Sequence, residues 1–288
     1  MKLRNSVAAS LLLLSTAQSV LAGSVTQPGD TMGSASGMPA PPGLYFADQA
    51  NYGSADIRPR TSVFTDIPML AWAMPWKILG ATPVLVTAPT TFVHVDLHNT
   101  YHATGLFNPF VAGEVAWDLG HGFGFAYLLG AYIDVNSTVA YSTSSLNQRF
   151  GLSYTGNGWN LTENTILGIQ FDQSNTDPQG FPCPTNPAIG CNPNFVNVDL
   201  TATKKFGNWE VGPIGFYSTD ISNPVSDYRR QSKAAIGALV GYWSRLGIIQ
   251  LYATTEFYER NYGGKDTRVW TRLIIPLGKG PPKKAIAY

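Results

Sequence analysis

Three of the four histidines fall between positions 94 and 102, in the run His94-Val95-Asp96-Leu97-His98 and in His102. On an extended chain, residues two apart share a face, so His94, Asp96 and His98 lie on one side of a strand. A strand over 84–98 in phase with its neighbours would turn that side inward. Imidazole and carboxylate at this spacing can chelate a divalent cation or form a proton-responsive network. No third ligand is evident, so the expectation is a structural or gating network with no metal and no cofactor.

The same inward phase collects Glu114, Arg149, Asp172, Asp199, Lys205, Glu210, Lys233, Glu256, Arg268 and Arg272. Both signs occur, which excludes a single-sign ring of the kind that selects ions strongly. Such an interior either knits the wall through paired charges or lines a narrow polar path for a ligand. Small residues at Gly122, Gly124, Ala126 and Gly130 would leave room for one. Enzyme chemistry has little support: no Gly-x-Ser-x-Gly, His-Glu-x-x-His or phosphate-cradling glycine loop is present. A hydrolase built from His102 and Ser142, Ser144 or Ser145 at a barrel rim is the weakest alternative. The two cysteines, Cys183 and Cys191, stand close together in a Pro-rich stretch and predict a disulfide in an exported chain.

The elements that must carry these side chains are strands. In 195–206, Val196, Val198, Leu200 and Ala202 alternate with Asn197, Asp199, Thr201 and Thr203, and the same period recurs through 247–258 and 268–277. The connectors alternate between short (119–122, 156–158, 207–208, 244–247) and long (135–145, 173–194, 220–232, 260–267). All short turns therefore fall at one end and all long loops at the other, the plan of a transmembrane antiparallel β-barrel. Strands are expected near 43–52, 62–77, 84–98, 107–118, 122–134, 146–155, 159–172, 195–206, 208–219, 233–244, 247–258 and 268–277. Twelve strands satisfy even parity, and closure is required because an open edge in lipid leaves backbone groups unpaired. Trp117, Trp159, Trp209, Tyr242 and Trp243 lie beside the short turns, where an interfacial girdle would sit.

Composition agrees. Aromatic residues are 12% and charged residues 13%, against ~25% charged in soluble domains. Lys2 and Arg4, the apolar Val7–Leu14 run and Val20-Leu21-Ala22 read as a secretory signal over 1–22. After its removal, 17 basic side chains stand against 18 acidic ones, with no basic stripe for nucleic acid. Residues 23–42, rich in Gly, Ser and Pro, predict a flexible periplasmic lead-in. The barrel should span 43–278, followed by a tail over 279–288.

The chain resembles the outer-membrane barrel family labelled putative meta-pathway of phenol degradation. The resemblance rests on Pro41-Pro42-Gly43-Leu44-Tyr45, Pro75-Trp76-Lys77-Ile78-Leu79-Gly80-Ala81, Thr162-Glu163-Asn164 and the closing strand Arg268–Leu277. It departs from outer-membrane proteins at large in carrying Gly278–Tyr288 after the last strand, where a terminal aromatic residue is usual. The resemblance implies passage of small hydrophobic or aromatic compounds across the outer membrane of a Gram-negative bacterium. The partners so implied are outer-membrane lipid, the barrel-assembly machinery and those ligands. A closed structural or adhesion barrel acting through its long loops is the other reading.

Overall fold

The computed structural model describes residues 24–56, 60–98, 101–140, 143–173, 191–226, 228–262 and 264–277. The expected signal segment, Cys183 and the tail 279–288 lie outside the described residues. The strands are β1 (Gly43–Ala55), β2 (Thr61–Ala73), β3 (Thr82–Ala88), β4 (Phe92–Leu97), β5 (Tyr101–Leu106), β6 (Phe110–Gly120) and β7 (Phe123–Tyr132). They continue with β8 (Ser145–Gly156), β9 (Trp159–Gln170), β10 (Phe195–Phe206), β11 (Trp209–Asp220), β12 (Ser232–Trp243), β13 (Ile248–Arg260) and β14 (Asp266–Leu277).

All ladders are antiparallel, and β1 pairs with both β2 and β14, which closes the sheet. The ring has twelve staves. β2 pairs with β3 through Leu70–Ala73 and with β4 through Thr61–Asp66, so β3 and β4 are the lower and upper halves of one stave. β6 pairs with β3 and β5 with β4, which makes β5 and β6 the halves of the next. Closure pairs the wall around the ring, as a lipid environment demands; among the described strands β5 alone keeps a single strand partner, β4.

Alternation then sorts the side chains. Leu152, Leu161, Leu200, Ile236, Leu251 and Val269 are exposed on the outer face, while Gln49, Asn147, Asn197, Thr203, Gln250 and Arg272 are buried inside. This apolar-out, polar-in pattern inverts a soluble protein because the outer solvent is hydrocarbon.

The breaks in the two divided staves shift that phase. In β3 the inward residues are even-numbered, including Val84 and Ala88; in β4 they are odd-numbered, Val93, Val95 and Leu97. Residues 89–91 insert one extra position, and 107–109 do the same between β5 and β6. The loop between β7 and β8 folds inward at this height, burying Val139 against Val63, Val93, Val95 and Leu97. Here the inner face is apolar, and the outer face carries His94, Asp96, His102 and Thr104 beside Phe92 and Leu106.

The expected periplasmic lead-in is instead inside the barrel. Residues 24–38 run down the lumen as a series of tight turns, with Asp30 N–H bonded to the Gln27 carbonyl at 3.0 Å and Ser34 N–H to Thr31 at 3.1 Å. Further on, Met38 N–H bonds Ala35 at 2.9 Å. Met32 is fully buried among Ile214, Phe216, Leu239, Tyr252 and Trp270, and Val25 packs with Phe110, Leu128, Tyr132, Ile166 and Phe195. A Gly/Ser-rich segment can do this because the lumen is polar and satisfies its backbone.

Candidate functional site

Most inward charges serve the internal segment or one another. The Asp199 carboxylate accepts hydrogen bonds from Gly29 N–H (2.9 Å), Thr31 N–H (2.9 Å) and the Thr31 hydroxyl (2.7 Å). Arg272 donates to the carbonyls of Met32 (2.7 Å) and Asp30 (2.7 Å), to Ser34 Oγ (3.1 Å), Gln49 (2.7 Å), Gln250 (3.1 Å) and Tyr252 (3.0 Å). Asn197 Nδ2 holds Ser24 Oγ and the Thr26 carbonyl, at 2.9 and 3.0 Å. Each charge-assisted bond of this kind contributes ~1.5–3 kcal/mol, so the segment is bound and not merely resting in the lumen.

Other ions close on the wall. Arg268 pairs with Asp266 at 2.8 Å and bonds Asn51. Lys233 pairs with Glu256 at 3.0 Å, and Glu256 also accepts from Asp266 N–H at 2.9 Å. Glu210 takes the Trp243 indole N–H at 2.8 Å, Thr203 and Gln250. Trp243 thus turns inward, with Lys205 Nζ 4.2 Å from the centre of its ring, and is not part of the girdle. Tyr242 and Trp209, stacked edge to face at 5.0 Å, do sit on the outer face beside the short turns.

The histidine cluster is not in the lumen. The slip at 89–91 puts His94 and Asp96 on the exterior of the β4–β5 hairpin, and His98 is exposed just past its end. His94 Nδ1 contacts the Thr104 hydroxyl at 2.6 Å, and His102 Nδ1 lies 3.6 Å from Asp96 in an exposed pair. Asp172 is exposed just above β9, with its backbone N–H on the Thr143 hydroxyl. Among the described residues no three His, Cys, Asp or Glu side chains converge as a metal site. Cys191 is buried beside Tyr228 and Val225.

Gly124, in the small-residue stretch that sequence reasoning left open for a ligand, and Gly151 beside it are met by the backbone of the internal segment. A Cβ on Gly151 would sit 2.7 Å from the Ser36 carbonyl oxygen, and one on Gly124 would sit 2.6 Å from that of Gly37. Gly37 N–H also bonds Ser153 Oγ at 2.8 Å. Gly151→Val is therefore expected to lift the lower end of the segment, since overpacking costs ~1–3 kcal/mol. Amide exchange over 33–38 should accelerate by roughly tenfold. Unchanged exchange would mean that the wall yields instead.

What stays open lies between the bound segment and the side of the wall formed by β2–β4 and β6–β8. An apolar cavity of about 120 Å³ in the upper lumen is lined by Val63, Ile67, Met69, Val86, Phe107 and Phe110, with Leu128, Tyr132 and Arg149 at its edge. A second, of about 240 Å³, lies lower, between Ser34–Ser36 and Glu114, Ala126 and Gly151. Leu128 and Arg149 line both. Glu114, Leu128 and Arg149 face inward in register on three adjacent strands, so charges of opposite sign flank Leu128 where the cavities meet. Sequence reasoning named Glu114 and Arg149 but missed the segment that makes them a constriction. The available signal was the four-residue spacing of Gly29, Gly33 and Gly37.

A family model described as "Putative MetA-pathway of phenol degradation" matches residues 27–273. No curated protein matches the sequence. Among solved structures, an outer membrane channel from Pseudomonas putida F1 superposes with a TM-score of 0.65 at 9% identity, covering 87% of this chain and 99% of that one. The NanC porin gives 0.48 at 9% identity, over 81% of this chain and 100% of its own. The translocator domain of the autotransporter NalP from Neisseria meningitidis gives 0.43 at 8% identity, over 95% and 98%. The fold is that of outer-membrane barrels of Gram-negative bacteria, and the exposed apolar band places this one in that membrane.

Proposed function

The chain belongs to the family described as "Putative MetA-pathway of phenol degradation", and we propose that it is a passive outer-membrane channel for small hydrophobic or aromatic compounds. The observation that carries this reading is the pair of cavities beside the bound segment, which share Leu128 and Arg149 in their walls. Its upper part is apolar and of the order that accepts one benzene ring, ~150 Å³. Passage in this reading is passive, and distributed, weak contacts suit release. The expected Cys183–Cys191 disulfide belongs to the same reading, as a brace for the longest outer loop.

The test is single-channel recording of the refolded barrel in a planar bilayer, with phenol and toluene added. Small discrete steps, reduced in a concentration-dependent way by the aromatic compound, are the expected result. Insertion without current, together with no uptake of labelled toluene into liposomes, would defeat the proposal and favour a closed structural barrel.

A second route is favoured by the divided staves. β7 pairs with β6 only up to Phe110–Tyr132, which leaves β5 with one strand partner. The upper cavity is lined at that height by Thr91, Val93 and Phe107, next to outward-facing Phe92 and Leu106. An apolar solute could leave sideways there into hydrocarbon. Toluene uptake that persists where ion current is absent would select this route.

A further inference from the structure

We propose that Arg149 is the specificity-determining residue of the lumen path, taking the anionic head of a small amphiphile, an aromatic monocarboxylate, in exchange for the Asp30 carboxylate of the internal segment. The inference rests on the channel reading above and adds a charge requirement to it.

The cations in the middle and upper lumen are held in different ways. Arg268 is clamped by Asp266 at 2.8 Å and by Asn51. Arg272 is spent on six acceptors, two of them segment carbonyls. Lys233 is locked to Glu256 at 3.0 Å. Arg149 differs. Among the described residues its ion pair, to Asp30, is a single contact from NH1 at 3.5 Å, and its other hydrogen-bond partners are neutral, Asn147 on Nε at 2.9 Å and the Tyr132 hydroxyl. The guanidinium carbon lies 5.1 Å from the centre of the Phe110 ring, within cation–π range. Glu114 stands across Leu128 with no direct bond to it.

Asp30 also has somewhere else to go. Its other oxygen already accepts from Gln49 Nε2 at 2.8 Å, so it keeps a partner when Arg149 turns away. Arg149 presents a planar fork that matches a carboxylate in a bidentate way, and it does so at the floor of the apolar cavity. Phe110, Leu128, Val86 and Met69 would surround the body of a ligand whose head reached it. A neutral ring would fill the same cavity but leave the guanidinium on its loose internal partner. A cationic ring would meet like charge.

The test is calorimetric titration of the refolded full barrel in micelles with benzoate, its neutral isostere benzamide, and benzylamine. Benzoate should bind at least about tenfold more tightly than benzamide, with benzylamine weakest. Arg149→Gln should erase the difference between benzoate and benzamide, and Arg149→Lys should retain part of it. Asp30→Asn should strengthen benzoate binding several-fold by removing the internal competitor. Equal binding of benzoate and benzamide, no binding of either, or a preference that survives Arg149→Gln would each overturn the assignment. Heat-modifiable gel mobility checks that each variant is folded. If Arg149→Gln fails that check, the wild-type comparison and Asp30→Asn still decide. Absence of the preference in the wild-type barrel with toluene uptake intact would sink this inference alone, whereas absence of all flux would sink the channel reading.

Discussion

Deleting residues 24–40 should raise the unitary conductance of the barrel by at least about fivefold while leaving its strands in place. The wall does not depend on the segment for its ladders: β1 begins at Gly43 and pairs along its whole length with β14 and β2. The segment, by contrast, fills the side of the lumen facing β8–β14, where Asp199, Asn197, Gln250 and Arg272 reach it. Its removal joins the two cavities beside Arg149 to that space. The variant should also lose any preference among aromatic solutes, because the apolar cavity is walled in part by Val25 and Pro28. Planar-bilayer recording checks both. A deletion variant that is heat-modifiable yet conducts no better than the parent would show that the narrowest point lies elsewhere, with the inward-folded loop before β8 as the next candidate.

Replacing Arg272 by Ala should release the segment without removing it. Three of the side chain's bonds go to the segment, at the carbonyls of Asp30 and Met32 and at Ser34 Oγ, and three more organise the wall side chains around it. Loss of the two carbonyl bonds alone costs about 3–6 kcal/mol of local opening free energy. The amide protons of Gly29 and Thr31, bonded to Asp199, report that opening and should exchange at least about a hundredfold faster. Arg272→Lys keeps the charge but cannot span six acceptors, so it should fall between. Exchange at Gly29 and Thr31 that matches the parent would mean Asp199 holds the segment unaided.

The strands were legible because lipid on one side and polar lumen on the other impose a strict period of two. The expected 195–206 coincides with β10 from Phe195 to Phe206, and 268–277 falls within β14. The connectors sorted themselves by length for the same reason, and twelve staves followed. The histidines were misplaced because the alternation was carried through 84–98 as one strand, whereas the extra residue at 89–91 reverses the phase. Above that break the hairpin packs Val93 and Val95 on Val139, so apolar no longer means outward. The lead-in was missed for a different reason. Its few apolar residues, Val25 and Met32, are too sparse to signal burial, and its polarity looks like solvent exposure when the lumen itself is polar. Asp199 and Arg272 were recognised as inward-facing, but nothing local in the sequence says that their partners are backbone groups some 170 and 240 residues away.

The direction of the bound segment bears on how the molecule is put together. The segment is covalently continuous with the wall at its lower end, where it leads into β1, and Ser24 lies in the outer half of the lumen, hydrogen-bonded to Asn197. A strand of string fixed at one end can be drawn into a finished cylinder from below; one fixed at both ends cannot. Threading after ring closure therefore requires a free amino end, which the cleavage expected after Ala22 would supply one residue short of Ser24. An uncleaved precursor would have to wrap its twelve staves around the segment, or remain an empty ring. If the signal expected over 1–22 is cut off, that cut would also set when the lumen changes from vacant to occupied.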